Sequence, residues 1–504
     1  MYRKLTRNAT VSVVQTVISG LVLFVLYRYL LDHLGSEQLG LWSVILASTS
    51  FARLSDMGLT GSVVKFVARY RALKNDDQAA QAVQTAAISI AMVMAVLALA
   101  LYPLLGYVLT LAVPEQSMPQ ALGILPWAVF SLWLGSVGGV FQSGLDGYQR
   151  MDIRNILMIF VNLLFLGGAV WLVPHYGLEG LAVGQAVQSL LLLVTSWLAL
   201  RYQLKSLPWV PMRWSKSNFK EMFGYAVNFQ INSIAILLFD PITKMLMSRY
   251  GGLSSAAYYE MANQLVMKLR ALIISASQAL VPAVAELHET APGKVRDLYL
   301  KSYRLLFFIA LPFYGAILSA LPVISDLWIG RRESQFLLFG SLLVVGWGFN
   351  TLTGPAYFFN LGTGDLKWNS IAHVVMAIMN VFLGFLLGSM LDGLGVAISA
   401  AAALIIGSSF VIFAQHKKYK ILWRNIIPAE HLTLIIIIIL YIVLLSFFKS
   451  MQLINTNLFI VNAISFCIYL IIVGAVMWFH PYKKILISRR AFSLNDGKNA
   501  RPDH

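Results

Sequence analysis

Apolar segments long enough to cross a membrane recur along the whole sequence. A transmembrane helix needs about 20 consecutive apolar residues, and this length rule predicts fourteen helices. The predicted spans are about 11–31, 39–64, 82–106, 121–143, 155–174, 178–200, 222–248, 254–284, 303–324, 335–359, 368–389, 393–414, 432–448 and 457–479. Only 12% of the 504 residues are charged and 58% are hydrophobic, whereas a soluble domain is about 25% charged. The sequence therefore predicts an all-α integral membrane protein with about 14 transmembrane helices.

Lysine and arginine concentrate in alternate loops between these spans. The basic segments are 3–7, 65–74, 201–220, 417–424 and 483–490. The opposite loops carry Arg249, Arg331, Arg332 and Lys449. Because loops rich in Lys and Arg stay on the cytoplasmic side, we expect both termini in the cytoplasm. The same placement explains the net charge of +16 without a nucleic-acid partner.

An internal repeat relates the first six spans to the next six. Placing Leu34-Gly35 on Gly251-Gly252 aligns span 2 with span 8 at an offset of 217 residues, and a register near 214 places Leu178 on Asp392. Six is even, so both repeats enter the membrane from the same side and are parallel. The predicted parts are a six-helix lobe at 1–200, a cytoplasmic linker at 201–221, a six-helix lobe at 222–416, a cytoplasmic loop at 417–431, helices 13 and 14 at 432–480 and a cytoplasmic tail at 481–504.

Charged residues stand inside several predicted spans. In and near the second repeat's first hairpin these are Asp240, Lys244, Glu260, Lys268 and Arg270, and in the first repeat they are Arg28, Arg53 and Asp56. A charge at the bilayer centre costs roughly 2.5–3.5 kcal/mol on insertion scales, so intramembrane charges are either functional or mutually paired. We therefore expect a wet cavity or internal ion pairs in these hairpins.

Arg53 and Arg270 fall on each other in the repeat register of 217 residues. Two guanidinium groups across a cleft can hold a diphosphate through bidentate hydrogen bonds. The structural alternative pairs Arg53 with Asp56, and Arg270 with Glu260 or Asp240. Both interpretations are open from the sequence.

The other candidates are assigned by charge and position. The remaining substrate-binding candidates are Lys268, Arg28, Lys244, Asn228 and Asn232. The candidates for coupling to H+ or Na+ are Asp240, Glu260 and Asp56. Lys244 and Arg28 have an alternative role, because long basic side chains near a helix end extend to the membrane interface.

No signature of catalysis, nucleotide binding or metal binding is present in the sequence. There is no G-x-x-x-x-G-K-[ST] loop, the eight His are scattered and there is a single Cys. These patterns carry phosphate-loop and metal chemistry in other proteins. The sequence therefore predicts a non-enzyme without cofactor or metal.

Four stretches resemble a known family. They are "GSEQLGLWSVI" at 35–45, "DMGLTGSVVKFVA" at 56–68, "SRYGGLSSAAYYEMANQL" at 248–265 and "ALVPAVAEL" at 279–287. They are similar to the polysaccharide transporter branch of the multidrug/oligosaccharidyl-lipid/polysaccharide exporter superfamily, which includes flippases for O-antigen and capsule repeat units. The resemblance implies two lobes facing each other in a V and export of polyprenyl-diphosphate-linked oligosaccharide across a bacterial cytoplasmic membrane. It also implies membrane lipids, a polysaccharide polymerase and glycosyltransferases as partners.

Two other functions compete with this interpretation. One is a drug/cation antiporter of the same superfamily, and the other is a membrane-embedded glycosyl- or acyltransferase. Five basic residues against three acidic residues inside the spans favour an anionic substrate over a cation. The absence of a recognisable set of catalytic residues in the sequence counts against a transferase.

Overall fold

The computed structural model describes residues 2–50, 59–278, 280–421, 431–450 and 458–480, and for 2–9, 225–237, 442–450 and 458 it describes the backbone only. Within these ranges the chain is α-helical, with two short 3-10 turns and no β-strand. The helices are α1 (Tyr2–Ser50), α2 (Leu59–Ala72), α3 (Asp76–Thr110), α4 (Met118–Gly147), α5 (Met151–Gln203), α6 (Lys216–Ser277), α7 (Leu280–Thr290), α8 (Val295–Trp328), α9 (Ser334–Leu352), α10 (Gly354–Thr363), α11 (Lys367–Lys418), α12 (Leu432–Ser450) and α13 (Leu458–Phe479).

Four of these helices are too long for one crossing. The 53 residues of α5 would extend for about 80 Å at 1.5 Å per residue, against about 30 Å for the hydrocarbon core. Each long helix contains a backbone break, at Gly35 in α1, Gly177 in α5, Gly252 in α6 and Leu391-Asp392 in α11. These breaks lie at the predicted junctions between spans, so each long helix supplies residues of two spans.

The described residues contain nine helices that are long and apolar enough to cross a membrane, counting each broken helix once. All fourteen predicted spans fall on helical residues wherever the structure describes them, except at the turn residues Gln278 and Thr353. The prediction of an all-α, multi-spanning membrane protein is confirmed.

The backbone breaks repeat in conformation between the two halves of the chain. Gly35 has φ 80° and ψ 172°, and Gly252 has φ 82° and ψ 170°. This region is essentially open to glycine alone, and the pair reproduces the predicted offset. Gly177 (φ 56°, ψ −136°) likewise matches Asp392 (φ 52°, ψ −140°). This match differs by one residue from the predicted alignment of Leu178 with Asp392. The backbone dihedral angles at the break define the alignment to a single residue, whereas the similarity between two apolar sequences does not.

A close contact between helices repeats in the same way. A Cβ added to Gly147 in α4 would lie 2.8 Å from Cβ of Val67 in α2. A Cβ added to Gly362 in α10 would lie 2.7 Å from Cβ of Val284 in α7. Both glycines allow two helices to approach at equivalent places, so the duplication extends from the sequence to helix packing.

The first of two compact units comprises 1–268, 334–343 and 369–407. One core cluster of this unit is formed by buried side chains of α2, α3, α4 and the end of α5. The non-helical segment between α5 and α6 is attached to α3, because Gln84 Oε1 accepts from the backbone N–H groups of Met212 and Arg213, each at 3.2 Å. Trp214 Nε1 donates to Ser89 Oγ at 3.0 Å in the same region.

The second unit comprises 269–333, 344–368 and 408–504. Here α13 packs on α8, where the Tyr469 hydroxyl donates to the carbonyl of Pro312 at 2.9 Å. Ile438 of α12 joins Tyr469 and Val473 in a small apolar core. The six-helix lobes and their linker at 201–221 stay a prediction, because the two units follow different boundaries.

Candidate functional site

Three charged side chains of α6 form a buried cluster around Lys244. Its Nζ lies 2.7 Å from Asp240 Oδ2 and 2.6 Å from Glu260 Oε2. Lys244 and Glu260 lie eight residues before and after the break at Gly252, so the two segments of α6 bring them to one level. Lys244 is 7% exposed, so it does not extend to the membrane interface as one sequence interpretation had it.

The two carboxylates of this cluster differ in their surroundings. Glu260 is 4% exposed, and its Oε1 accepts from Tyr27 Oη at 3.2 Å and Gln264 Nε2 at 2.9 Å. Asp240 accepts from Asn263 Nδ2 at 2.8 Å, but its side chain is 40% exposed. One lysine faces two carboxylates, so with all three ionised the cluster carries a net charge of −1, and Asp240 is the less enclosed of the two carboxylates.

The cluster lies beside a junction between the two repeats within the first unit. Ser36 Oγ and Ser254 Oγ are 2.9 Å apart, next to the breaks at Gly35 and Gly252. On the other side, Ser248 Oγ donates to the carbonyl of Ala112 at 2.5 Å. The segments that meet here include two of the loops predicted to lie outside the cytoplasm. The Tyr27–Glu260 hydrogen bond thus joins the first repeat to the charged cluster of the second.

Arg270 lies in the second unit among polar and aromatic groups. Its Nη2 donates to Asn350 Oδ1 at 2.7 Å, and its guanidinium carbon lies 4.7 Å from the centre of the Trp347 ring. Asn350 is held in turn by a hydrogen bond to Ser408 Oγ at 2.8 Å. Arg270 Nε is buried and has no hydrogen-bond partner in the described part of the chain.

No carboxylate pairs with Arg270 among the residues that the structure describes. Glu260 and Asp240, the partners that the sequence allowed, bind Lys244 instead. An arginine has five N–H donors, and the described contacts occupy one of them. The guanidinium therefore retains donors and charge for an anion.

The other predicted site residues fall into two groups. Arg28 forms a surface ion pair with Asp32, 2.9 Å between Nε and Oδ2, and Lys268 is exposed. Arg53 and Asp56, and the side chains of Asn228 and Asn232, lie outside the described residues.

A polar cavity in the first repeat was not predicted. It has a volume of about 620 Å³ and lies between α1, α2, α4 and α5. Along α4 its lining residues recur every three or four positions, a spacing that puts them on one helix face. They are Ser131, Gly135, Gly139, Gln142 and Asp146. This stripe of glycines and polar residues, with a single charged member in Asp146, was the missed signal. Gly138, one position off that face, packs on Leu193 instead.

Comparison with known proteins agrees with this architecture. A family model described as polysaccharide biosynthesis protein matches residues 5–288. A putative O-antigen transporter of Shigella flexneri is 21% identical over 388 residues, which cover 75% of this chain and 90% of that protein.

Two solved structures share the fold. The lipid II flippase MurJ, in an inward closed conformation, aligns with a TM-score of 0.68 and 13% identity over 95% of this chain and 99% of that chain. An inward-facing multidrug resistance MATE family transporter of the MOP superfamily aligns with a TM-score of 0.66 and 15% identity over 80% of this chain and 95% of that one. At such low identity these likenesses show the fold alone. The family match covers more than half of the sequence, and the chain belongs to the polysaccharide biosynthesis protein family of membrane transporters.

Proposed function

We propose that this protein is a flippase for polyprenyl-diphosphate-linked oligosaccharide. It moves repeat units for O-antigen, capsule or exopolysaccharide across the bacterial cytoplasmic membrane by alternating access. The family, the relative described as a putative O-antigen transporter and the fold shared with a lipid II flippase support this function. Both termini are cytoplasmic in this proposal, and a polymerase and glycosyltransferases are its partners in the pathway.

The observation that carries the proposal is that Arg270 has no carboxylate partner among the residues that the structure describes. Arg270 is oriented by Asn350 and Trp347, and its Nε is buried without a partner. A diphosphate that leaves water needs positive charge and several donors in compensation. We assign Arg270 to the diphosphate, and Arg53, its counterpart in the repeat register, to the same role. Arg28 and Lys244 already pair with carboxylates, while Lys268, Asn228 and Asn232 stay predicted substrate contacts.

The proposed driving force is an ion gradient that acts on the Lys244 cluster. A net charge of −1 beside a partly exposed Asp240 accommodates one proton or one monovalent cation. Glu260 already accepts hydrogen bonds from two neutral donors in addition to its ion pair, so we assign the exchange to Asp240. One charge that crosses 100 mV supplies about 2.3 kcal/mol. Asp240→Asn should therefore leave transport insensitive to the gradient.

A drug/cation antiporter is the second candidate, because a MATE transporter shares the fold. The described cluster has one net negative charge, which the proposed coupling ion neutralises. Arg270 has no carboxylate partner among the described residues, which supports an anionic substrate over a cationic drug.

Reconstitution of the purified full chain into liposomes tests the proposal. A lipid-linked oligosaccharide with a fluorophore on its sugar should cross the bilayer faster than in protein-free liposomes, as measured by quenching from outside. Collapse of the membrane potential and of the H+ and Na+ gradients should remove net transport. Accumulation of an organic cation such as ethidium, without movement of the labelled lipid, would contradict the proposal and favour the antiporter.

A further inference from the structure

The cavity of the first repeat is strongly polar for a site among membrane helices. Eleven of its eighteen lining residues carry a hydroxyl, amide or charged side chain. Its volume of about 620 Å³ falls in the range of roughly 300–1,000 Å³ that ligand pockets occupy. Polar groups inside a membrane protein are costly unless they are satisfied and commonly mark a substrate path.

Part of this lining is satisfied by the protein itself. Ser136 Oγ donates to the carbonyl of Leu132 at 2.9 Å, and Ser131 Oγ lies 2.9 Å from Ser189 Oγ. The side chains of Gln142, Ser143 and Gln185 have no hydrogen-bond partner within the described part of the chain, although all three line the cavity. Two amides and a hydroxyl therefore present donors and acceptors to whatever fills it.

The charges of the lining cancel. Asp146 and Arg154 form an ion pair with each other, and Arg154 also donates to Asn155 Oδ1 at 3.2 Å. The lining includes no aromatic side chain and no unpaired formal charge among its described members. The described lining offers no uncompensated charge to an organic cation or a lone anion, whereas it offers many hydrogen-bonding groups to a neutral molecule rich in hydroxyls.

The second repeat carries aromatic or aliphatic side chains at the positions equivalent to four of these polar residues. The registers fixed by Gly147 with Gly362 and by Gly177 with Asp392 are both 215 residues. They place Gln142 on Tyr357 and Ser143 on Phe358. Similarly, Gln185 falls on Ala400 and Ser189 on Leu404. Three of these four positions carry an apolar residue in the second repeat and the fourth carries a tyrosine. The helix packing that the repeats share therefore does not depend on a side-chain amide or an aliphatic hydroxyl there.

We propose that this cavity binds uncharged sugar residues of the transported molecule. The inference rests on the proposed flippase function and adds where the carbohydrate is held. The Gln142, Ser143 and Gln185 side chains bind sugar hydroxyls, while the Asp146–Arg154 pair keeps the cavity neutral.

Affinity measured with two probes tests this site in the full-length protein in nanodiscs. One probe is the lipid-linked repeat unit extracted from the source bacterium, and the other is polyprenyl diphosphate without sugar. The variant Gln142→Met/Gln185→Met keeps the side-chain length and removes the amides. It should bind the repeat unit at least tenfold more weakly and polyprenyl diphosphate as the wild type does.

Gln188→Met is the matched control. Gln188 lies on the same helix but outside the cavity lining, and its Nε2 donates to Asn162 Oδ1 at 2.9 Å. This variant should leave both affinities within about twofold of wild type.

The outcomes separate this site from the function on which it rests. Wild-type affinity for the repeat unit in the double variant, or equal weakening for both probes, would overturn the sugar site alone. A wild-type protein that binds neither probe would overturn the proposed function and this site with it.

A cysteine measurement covers the case in which the double variant does not fold. The chain has one cysteine, so Ser143→Cys can be placed in a Cys467→Ser background and treated with a small maleimide. The repeat unit should slow the reaction at least tenfold and polyprenyl diphosphate should not. Equal reaction rates with and without the repeat unit would contradict the site.

Discussion

The two repeats share a backbone but differ in what they present to a substrate. Gly35 and Gly252 adopt the same conformation, and Gly147 and Gly362 allow the same close helix contact. On this common frame the first repeat surrounds a neutral, hydroxyl- and amide-rich cavity. The second carries the ion cluster of Lys244 and, nearby in sequence, Arg270. The duplication thus kept these two glycine pairs, while the polar linings of the repeats differ. Under the proposed function, the neutral lining suits the sugar, and the charged groups suit the diphosphate and the coupling ion.

Of the substitutions considered, removal of the Arg270 guanidinium should have the largest effect on transport. Arg270→Ala is expected to abolish transport of the labelled lipid, because loss of one partner of a desolvated charge contact costs about 2–5 kcal/mol. Arg270→Lys should retain partial activity, since it keeps the charge and loses the planar pair of donors.

Arg296→Ala is the control for this change, because Arg296 is an exposed arginine of the second repeat that donates to the backbone carbonyl of Tyr419 at 3.1 Å. It should transport at nearly the wild-type rate. Wild-type transport by stably folded Arg270→Ala would leave Arg270 with a structural role only.

Loss of the Lys244 ammonium group should destabilise the protein at the cluster of Lys244, Glu260 and Asp240. Lys244→Met leaves Glu260 buried and uncompensated, and breaking a buried pair in this way costs about 3–5 kcal/mol. The midpoint of thermal unfolding of the purified protein should fall accordingly. Addition of Glu260→Gln should recover most of the loss, because it removes the uncompensated buried charge and leaves Asp240 with its hydrogen bond from Asn263. An unchanged unfolding midpoint in the single variant would show that the pair is not formed.

Overpacking should affect both repeats alike if they share one scaffold. Gly147→Ala and Gly362→Ala each force a Cβ against a valine of the neighbouring helix, and each should cost about 1–3 kcal/mol. Gly167→Ala is the control, since no atom lies within 4 Å of the added Cβ, and it should be neutral or slightly stabilising. The thermal unfolding midpoint is measured for all three variants. A clear decrease for only one of Gly147→Ala and Gly362→Ala would show that the two helix contacts are not equivalent.

The smallest expected effect is a stabilisation at the one break that lacks a glycine. Asp392 has φ 52°, where its counterpart is Gly177. Strained backbone of this kind costs of order 1–3 kcal/mol, so Asp392→Gly should raise the unfolding midpoint by a few degrees. A lower midpoint would mean that the aspartate side chain contributes more than the strain costs.

The helices, their junctions and the repeat were accessible to prediction because long apolar segments and turn glycines are local signals. The Lys244–Glu260 ion pair could also have been predicted, because the two residues lie eight positions before and eight positions after the break at Gly252. The surroundings of Arg270 were not, because Asn350 and Ser408 approach it from distant segments of the chain. The cavity was missed because serine and glutamine carry no formal charge, and only their recurrence on one face of α4 distinguishes them from ordinary packing positions.

The most direct test of the central claim is the discrimination between two lipids that differ by one phosphate. We predict that the purified wild-type protein binds polyprenyl diphosphate at least tenfold more tightly than polyprenyl monophosphate, a difference of about 1.4 kcal/mol. In Arg270→Ala this ratio should fall to within about twofold. The same tenfold preference in the wild type and in Arg270→Ala would contradict the assignment of the diphosphate to Arg270.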